Sequence, residues 1–226
     1  MVAAKAPEHH FPITHRTLIG WTFLFRALNL ADAALEAARQ ERGETLALIA
    51  RSMLELAFHI NAMKNNPAYM DAYGDISDSK RLGKLKKCRS WLASDQSSDP
   101  SIIAEYEAVC HELEAQCRSA QNMSILDLAK HAQMEKEYYQ KYEVLCRDTH
   151  HNAWALTLYL QKTGAGLEMQ NHYPDDVQAL YLSVCLAYWS GCLDILWQWC
   201  EVQPDPEYQK LMTDALEALK GKAASG

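Results

Sequence analysis

Apolar positions recur at three- and four-residue spacing along most of the chain, the period of an amphipathic α-helix and not the alternation of a strand. Leu18, Trp21, Phe25 and Leu28 keep this spacing and predict a helix from about Thr17 to Arg42 with that stripe buried. Arg39 and Arg42 fall in its last turn, where cations complement the exposed carbonyls, and Gly43 suits a left-handed stop. A second helix, Glu44 to about Asn65, carries Ile49, Met53, Leu56, Ile60 and Met63 on one seam. The short connection makes the two an antiparallel hairpin. Asn65-Asn66 forms a turn and Pro67 ends the helix.

Beyond Pro67 the pattern turns polar. A short amphipathic helix from Ser79 to Leu92 sets Leu82, Leu85 and Leu92 against Lys80, Arg81, Lys84, Lys86, Lys87 and Arg89. Asp99-Pro100, an acidic cap followed by proline, starts a helix to about Ser119 with Ile103, Tyr106, Cys110, Leu113 and Cys117 inward. Ser124 caps a further short helix. Tyr138 to Leu160 reads as one helix, polar at its start and apolar from Trp154 onward. After a Gly- and Pro-containing loop, Asp175 or Asp176 caps a helix running to about Glu201.

That helix places Leu180, Val184, Ala187, Gly191, Ile195 and Trp199 on one line. A run of about 20 apolar residues is what a membrane span needs. Gln178, Asp194 and Gln198 interrupt it and no second span is read, so it is predicted to be the central core helix. Asp205-Pro206 opens a last amphipathic helix, and no segment carries a strand pattern. The chain is therefore predicted to be all-α, a single-domain bundle of about six to eight helices. The domain covers residues 13–220, between tails at 1–12 and 221–226.

Composition changes the picture little. The 226 residues carry a net charge of -7, which argues against broad non-specific binding to nucleic acid. Seven cysteines stand singly, with no C-x-x-C, so reduced thiols in a cytoplasmic protein are expected. The N-terminus has no apolar h-region.

Chemistry concentrates in Tyr138–Leu160. At 100° per residue Tyr138, Tyr142, Leu145, Thr149 and Ala153 share a stripe, with His150 and Cys146 on its flank. His151 points elsewhere, one turn above Arg147. Either imidazole suits general acid–base work, and Arg147 suits an anion such as phosphate. The plainer alternative is one satisfied core histidine and one surface histidine. Arg51, Glu55 and His59 repeat at four-residue intervals. Left in solvent, an Arg–Glu pair of that spacing contributes only about 0.2–0.5 kcal/mol. Leu48, Leu54, Phe58 and Ala62 lie on the same side, so the pair is expected to be covered and therefore satisfied or bound. No E-x-x-H occurs, and Cys146 with His150 is the closest approach to zinc spacing; neither a metal nor another cofactor is expected. Lys84 and Lys87, on the basic helix, are the remaining candidates for holding phosphate. The plainer reading of that helix is a solvated face balanced by Asp71, Asp75 and Asp78.

An R-x-x-x-E helix (Arg51, Glu55), then a Ser-capped S-I-x-x-L-A helix (Ser124, Ile125, Leu128, Ala129), then Y-x-x-x-Y-x-x-L-C-x-x-x-H (Tyr138, Tyr142, Leu145, Cys146, His150) occur in that order. This order resembles a family of bacterial all-helical proteins catalogued only as a domain of unknown function. Cys146 stands where that pattern usually has serine, and His151-Asn152 replaces the small residue or proline that usually follows. The resemblance implies a helical bundle in which Arg51, Glu55, Tyr142 and His150 converge, and it implies no activity. A looser likeness is to the HEPN ribonucleases, which use R-x(4–6)-H. Here Arg147 precedes His150 and His151 by too few residues for that register.

Three functions follow as expectations. The first is a binding or interaction module whose Arg–Glu–Tyr–His cluster holds a small anionic ligand, with a homodimer left open and no membrane partner. The second is a metal-independent ribonuclease using His150 or His151 with Arg147, the one reading under which nucleic acid is a partner. The third is a metal-dependent hydrolase on Glu55, His59 and His150.

Overall fold

The computed structural model describes residues 14–95, 99–116, 123–149, 153–164, 166–203, 206 and 210. The chain divides into two compact units, Met1–Ala57 with Tyr142–Gly226, and Phe58–Lys141. The fold is all-α, with one small two-stranded sheet among the described residues.

In the first unit, helix α1 (His15–Arg39) starts on a capping box in which Thr14 and Thr17 satisfy each other's backbone N–H. It packs on α10 (Asp175–Cys200). Gly20 allows the close approach: a Cβ there would lie 2.9 Å from Trp199 Cβ. The buried face continues through Phe23, Leu24, Ala27, Ala31, Ala34 and Ala37. The predicted stripe is the wrong one. Leu18, Phe25 and Leu28 are 54%, 58% and 38% exposed, and Trp21 is half-buried. Large side chains mark one flank of α1, but small ones mark where a second backbone fits. Phe23→Ala is accordingly expected to cost about 3–4 kcal/mol, and Phe25→Ala no more than about 0.5 kcal/mol. Urea denaturation of the two variants checks the assignment.

Helix α2 (Gly43–Asn65) follows a three-residue turn. The left-handed residue of that turn is Glu41 (φ 54°), and Gly43 is already helical. Gly43 is needed for space instead, since a Cβ there would stand 2.6 Å from Tyr173 Cβ. Up to Ala57, α2 buries Leu46, Ala47, Ala50, Met53, Leu54 and Leu56.

Helix α10 has Pro174 at its cap position and no side-chain cap, so Asp175 and Asp176 act from the first turn on the helix dipole. It buries one face, including Tyr181, Val184, Cys185, Cys192, Ile195 and Trp199. Asp194 and Gln198 are exposed on the other, so α10 is a one-sided helix and not a central one. By length and composition α1 and α2 are also apolar enough to cross a membrane, as α10 is. The sequence reading recognised only α10.

Tyr138–Leu160 is not one helix. A π-helical turn (Tyr138–Tyr142) leads into α8 (Glu143–Thr149), then α9 (Ala153–Thr157). Strands β1 (Leu160–Thr163) and β2 (Gly166–Met169) pair antiparallel, Leu160 opposite Met169 and Thr163 opposite Gly166. Gly166 takes φ 136°, which suits a tight hairpin and no other residue type. Both strands are largely exposed. They lack the buried alternating face that marks a strand in sequence, and the turn alone announces them.

The second unit takes α2 from Phe58 onward. Asn66 caps α3 (Pro67–Asp71), so Pro67 begins a helix as well as ending one. Helix α4 (Tyr73–Ser94) is longer than predicted and packs on α5 (Pro100–Gln116), with Lys86 bonded to Glu114. Asp99 caps α5: Ser101 N–H donates to its Oδ1 at 2.8 Å, and that bond holds the Asp99 carboxyl below its ordinary pKa. Ser124 caps α6 (Ile125–His131) in a capping box with Asp127, and α7 (Glu135–Glu137) follows. The inward position predicted for Cys117, and nearly all of the helix predicted after Pro206, lie outside the described residues.

Candidate polar cluster on helix α2

Glu44, Leu48, Arg51 and Glu55 rise along one stripe of α2, at steps of four, three and four residues. Two tyrosines answer this stripe. Tyr142, which closes the π-helical turn and is buried, donates its hydroxyl to Glu55 Oε1 at 2.7 Å. Arg51 Nε donates to the same oxygen at 3.3 Å, and Arg51 Nη2 donates to Tyr142 Oη at 3.3 Å. The guanidinium carbon lies 5.4 Å from the Tyr142 ring centroid. Eleven residues further toward the start of α2, Glu44 Oε2 accepts from the Tyr159 hydroxyl at 3.1 Å.

The two anchors are made from different parts of the segment, Tyr142 at the end of the π-helical turn and Tyr159 between α9 and β1. Glu44 and Glu55 are about 16 Å apart along α2, whereas 17 residues of unbroken helix from Tyr142 to Tyr159 would span about 25 Å.

The electrostatics favour a charged Arg51 and a neutral phenol. Burial pushes the Tyr142 hydroxyl above the ordinary tyrosine range, and its bond to Glu55 adds to this. For Arg51, burial works against the charge, but the contact with Tyr142 and the field of Cys146 and Glu55 outweigh it, and its pKa is raised. Cys146 is half-buried, and burial raises the pKa of its thiol, which works against thiolate formation.

A second network lies in the same unit. Asp148, 5% exposed, accepts from the Tyr181 hydroxyl at 2.7 Å, and its main-chain carbonyl accepts from Tyr173 at 3.3 Å. Tyr173 stacks edge-on to Tyr159, with centroids 4.9 Å apart. Beside them a cavity of about 310 Å³ is lined by Gln40, Arg42, Glu44, Tyr159, His172 and Tyr173, among others. It opens at the Glu44 end of the stripe and does not include Arg51.

Arg51, Glu55 and Tyr142 are thus brought together. His150 and His151 lie outside the described residues. Arg147 is turned to Asp148, its Nε 3.4 Å from Oδ1, with its side chain 45% exposed. His59 Nδ1 lies 2.9 Å from Tyr69 Oη. Among the described residues no three His, Cys, Asp or Glu side chains are placed to hold a metal. Lys84 and Lys87 are exposed on α4. Leu48, expected to be covered, is 45% exposed, while Leu54, Phe58 and Ala62 are buried. Sequence reasoning missed Glu44, Asp148, Tyr159, Tyr173 and Tyr181. The Glu44–Arg51–Glu55 spacing was a usable signal for the first; the others meet through tertiary contacts that leave no periodic trace.

A family model described as "Family of unknown function (DUF5677)" matches residues 17–167, a stretch that contains both anchors of the α2 stripe. No curated protein and no solved structure matches the chain.

Proposed function

We propose a ligand-binding role for this chain, which belongs to the family of unknown function DUF5677: Arg51, clasped by Glu55 and Tyr142, receives a small anionic group on its outer edge. One observation carries this reading. Nε and Nη2 are held, yet the side chain keeps 29% exposure and Nη1 meets no hydrogen-bond acceptor among the described residues. A guanidinium fixed on two sides has lost its rotamer freedom before any ligand arrives, which lowers the entropic cost of binding. Its Nη1/Nη2 edge matches a carboxylate or phosphate in bidentate geometry. Glu55 balances the charge of Arg51, so the site suits one anionic group and not a polyanion.

Water is the expected surroundings. The apolar helices α1 and α10 turn Arg26, Asn29 and Asp32, and Asp194 and Gln198, respectively, outward, and charges of this kind are costly in a bilayer.

Thermal unfolding tests the binding role. Phosphate and a series of mono- and dicarboxylates, compared at constant ionic strength, should include at least one anion that raises Tm. At 100 times Kd the gain is about 2.7 kcal/mol. The gain should vanish in Arg51→Met. If no anion raises Tm, or Arg51→Met keeps the rise, the reading fails.

A further inference from the structure

We propose that the outward stripe of α4, formed by Arg81, Lys84, Lys87 and Trp91, binds single-stranded nucleic acid, the cations on phosphates and the indole stacked on a base. The four side chains are exposed, Trp91 by 65%. At 100° per residue they fall within about 120° of one another, over about 15 Å of helix. The neighbouring cations are otherwise engaged: Lys86 is paired with Glu114, and Arg89 is half-buried in the field of the same carboxylate. Arg81, Lys84 and Lys87 have no such partner among the described residues. The helix therefore spends one set of charges on α5 and holds a second set outward, with an aromatic ring at its end.

The ring selects the occupant. Large aromatic side chains are normally well buried, and an indole open on its face among cations is the arrangement that strand-binding surfaces use: charge along the backbone, stacking on the base. A duplex hides its base faces and leaves the indole unused. A lipid surface needs a broad apolar face, but Leu82, Leu85 and Leu92, on the flank of α4 that adjoins Arg81, are half-buried, and Trp91 is the one large apolar side chain in the outward stripe. The net charge of -7 opposes phosphate binding in general, so contact has to come from a local concentration of cations such as this stripe.

The test is fluorescence anisotropy of a labelled single strand of about 12 nucleotides, titrated at a series of salt concentrations from about 50 mM. Three phosphate contacts predict a slope of log K against log salt of about -2, from about 0.7 per contact. Lys84→Gln with Lys87→Gln should reduce the slope to below about -1 in magnitude, and Trp91→Ala should weaken binding about tenfold with the slope kept. Circular dichroism confirms that these surface variants remain folded. The proposal is overturned by no saturable binding at the lowest salt, by binding unchanged in the variants, by tighter binding to a duplex of equal length, or by sedimentation with phosphatidylserine vesicles that Trp91→Ala abolishes.

Discussion

Gly43→Ala is expected to destabilise the protein by about 2 kcal/mol, although alanine is the better helix former. In a helix interior the exchange favours alanine by about 1 kcal/mol, and less at the first helical position. Against that, the new Cβ would sit 2.6 Å from Tyr173 Cβ and 2.7 Å from its Cγ. These are the stem of a side chain only 1% exposed, not a flexible tip that swings aside. Overpacking of this kind costs about 1–3 kcal/mol, and the shift would also disturb the Tyr173 hydroxyl on Asp148. Gly83→Ala supplies the opposite sign. It lies within α4, with nothing within 4 Å of an added Cβ, so propensity acts alone and about 0.5–1 kcal/mol of stabilisation is expected. Urea unfolding followed by circular dichroism reads both. A neutral or stabilising Gly43→Ala would mean that Tyr173 does not pack on the start of α2.

Glu55→Ala is expected to cost about 2 kcal/mol. Removing the carboxylate leaves the buried Tyr142 hydroxyl without its acceptor at 2.7 Å and Arg51 without its counter-charge. Breaking a fully buried pair costs about 3–5 kcal/mol, but both side chains here keep about a third of their exposure, and solvent screening reduces the figure. Tyr142→Phe should cost about 1 kcal/mol, and the double variant should fall short of the sum by about 1 kcal/mol, because the second change removes the group that the first orphaned. Simple additivity would show that Glu55 and Tyr142 are not coupled.

The helical nature of the chain and the partnership of Arg51, Glu55 and Tyr142 were legible in the sequence, for different reasons. Three-four periodicity is a property of each helix by itself, so it survives without tertiary information. The grouping came from the family-like order of motifs alone; the apolar residues around Arg51 predicted a covered pair, whereas Leu48 is exposed and the pair keeps about a third of its exposure. What failed was which face a helix buries. Along α1, both Leu18–Phe25 and Phe23–Ala27–Ala31 keep helical spacing, and only the α10 backbone beside Gly20 decides between them. Tyr138–Leu160 failed for another reason. Its helix pattern is genuine in α8 and α9, but the chain leaves the helix after Thr157 and enters β1 at Leu160, where exposed strand residues carry no alternating pattern. Gly43 looked like a stop because glycine after a helix usually is one, and the aromatic ring that requires it lies about 130 residues away in sequence.

The most direct test of the central claim is the nitrogen-15 spectrum of the Arg51 guanidinium, titrated with whichever anion raises Tm, or with phosphate. A guanidinium clasped on one side and open on the other predicts a saturable shift at Nη1, little change at Nε, and loss of the clasp in Glu55→Ala. An Arg51 signal that does not move, or that moves no more than those of the exposed arginines, would contradict it.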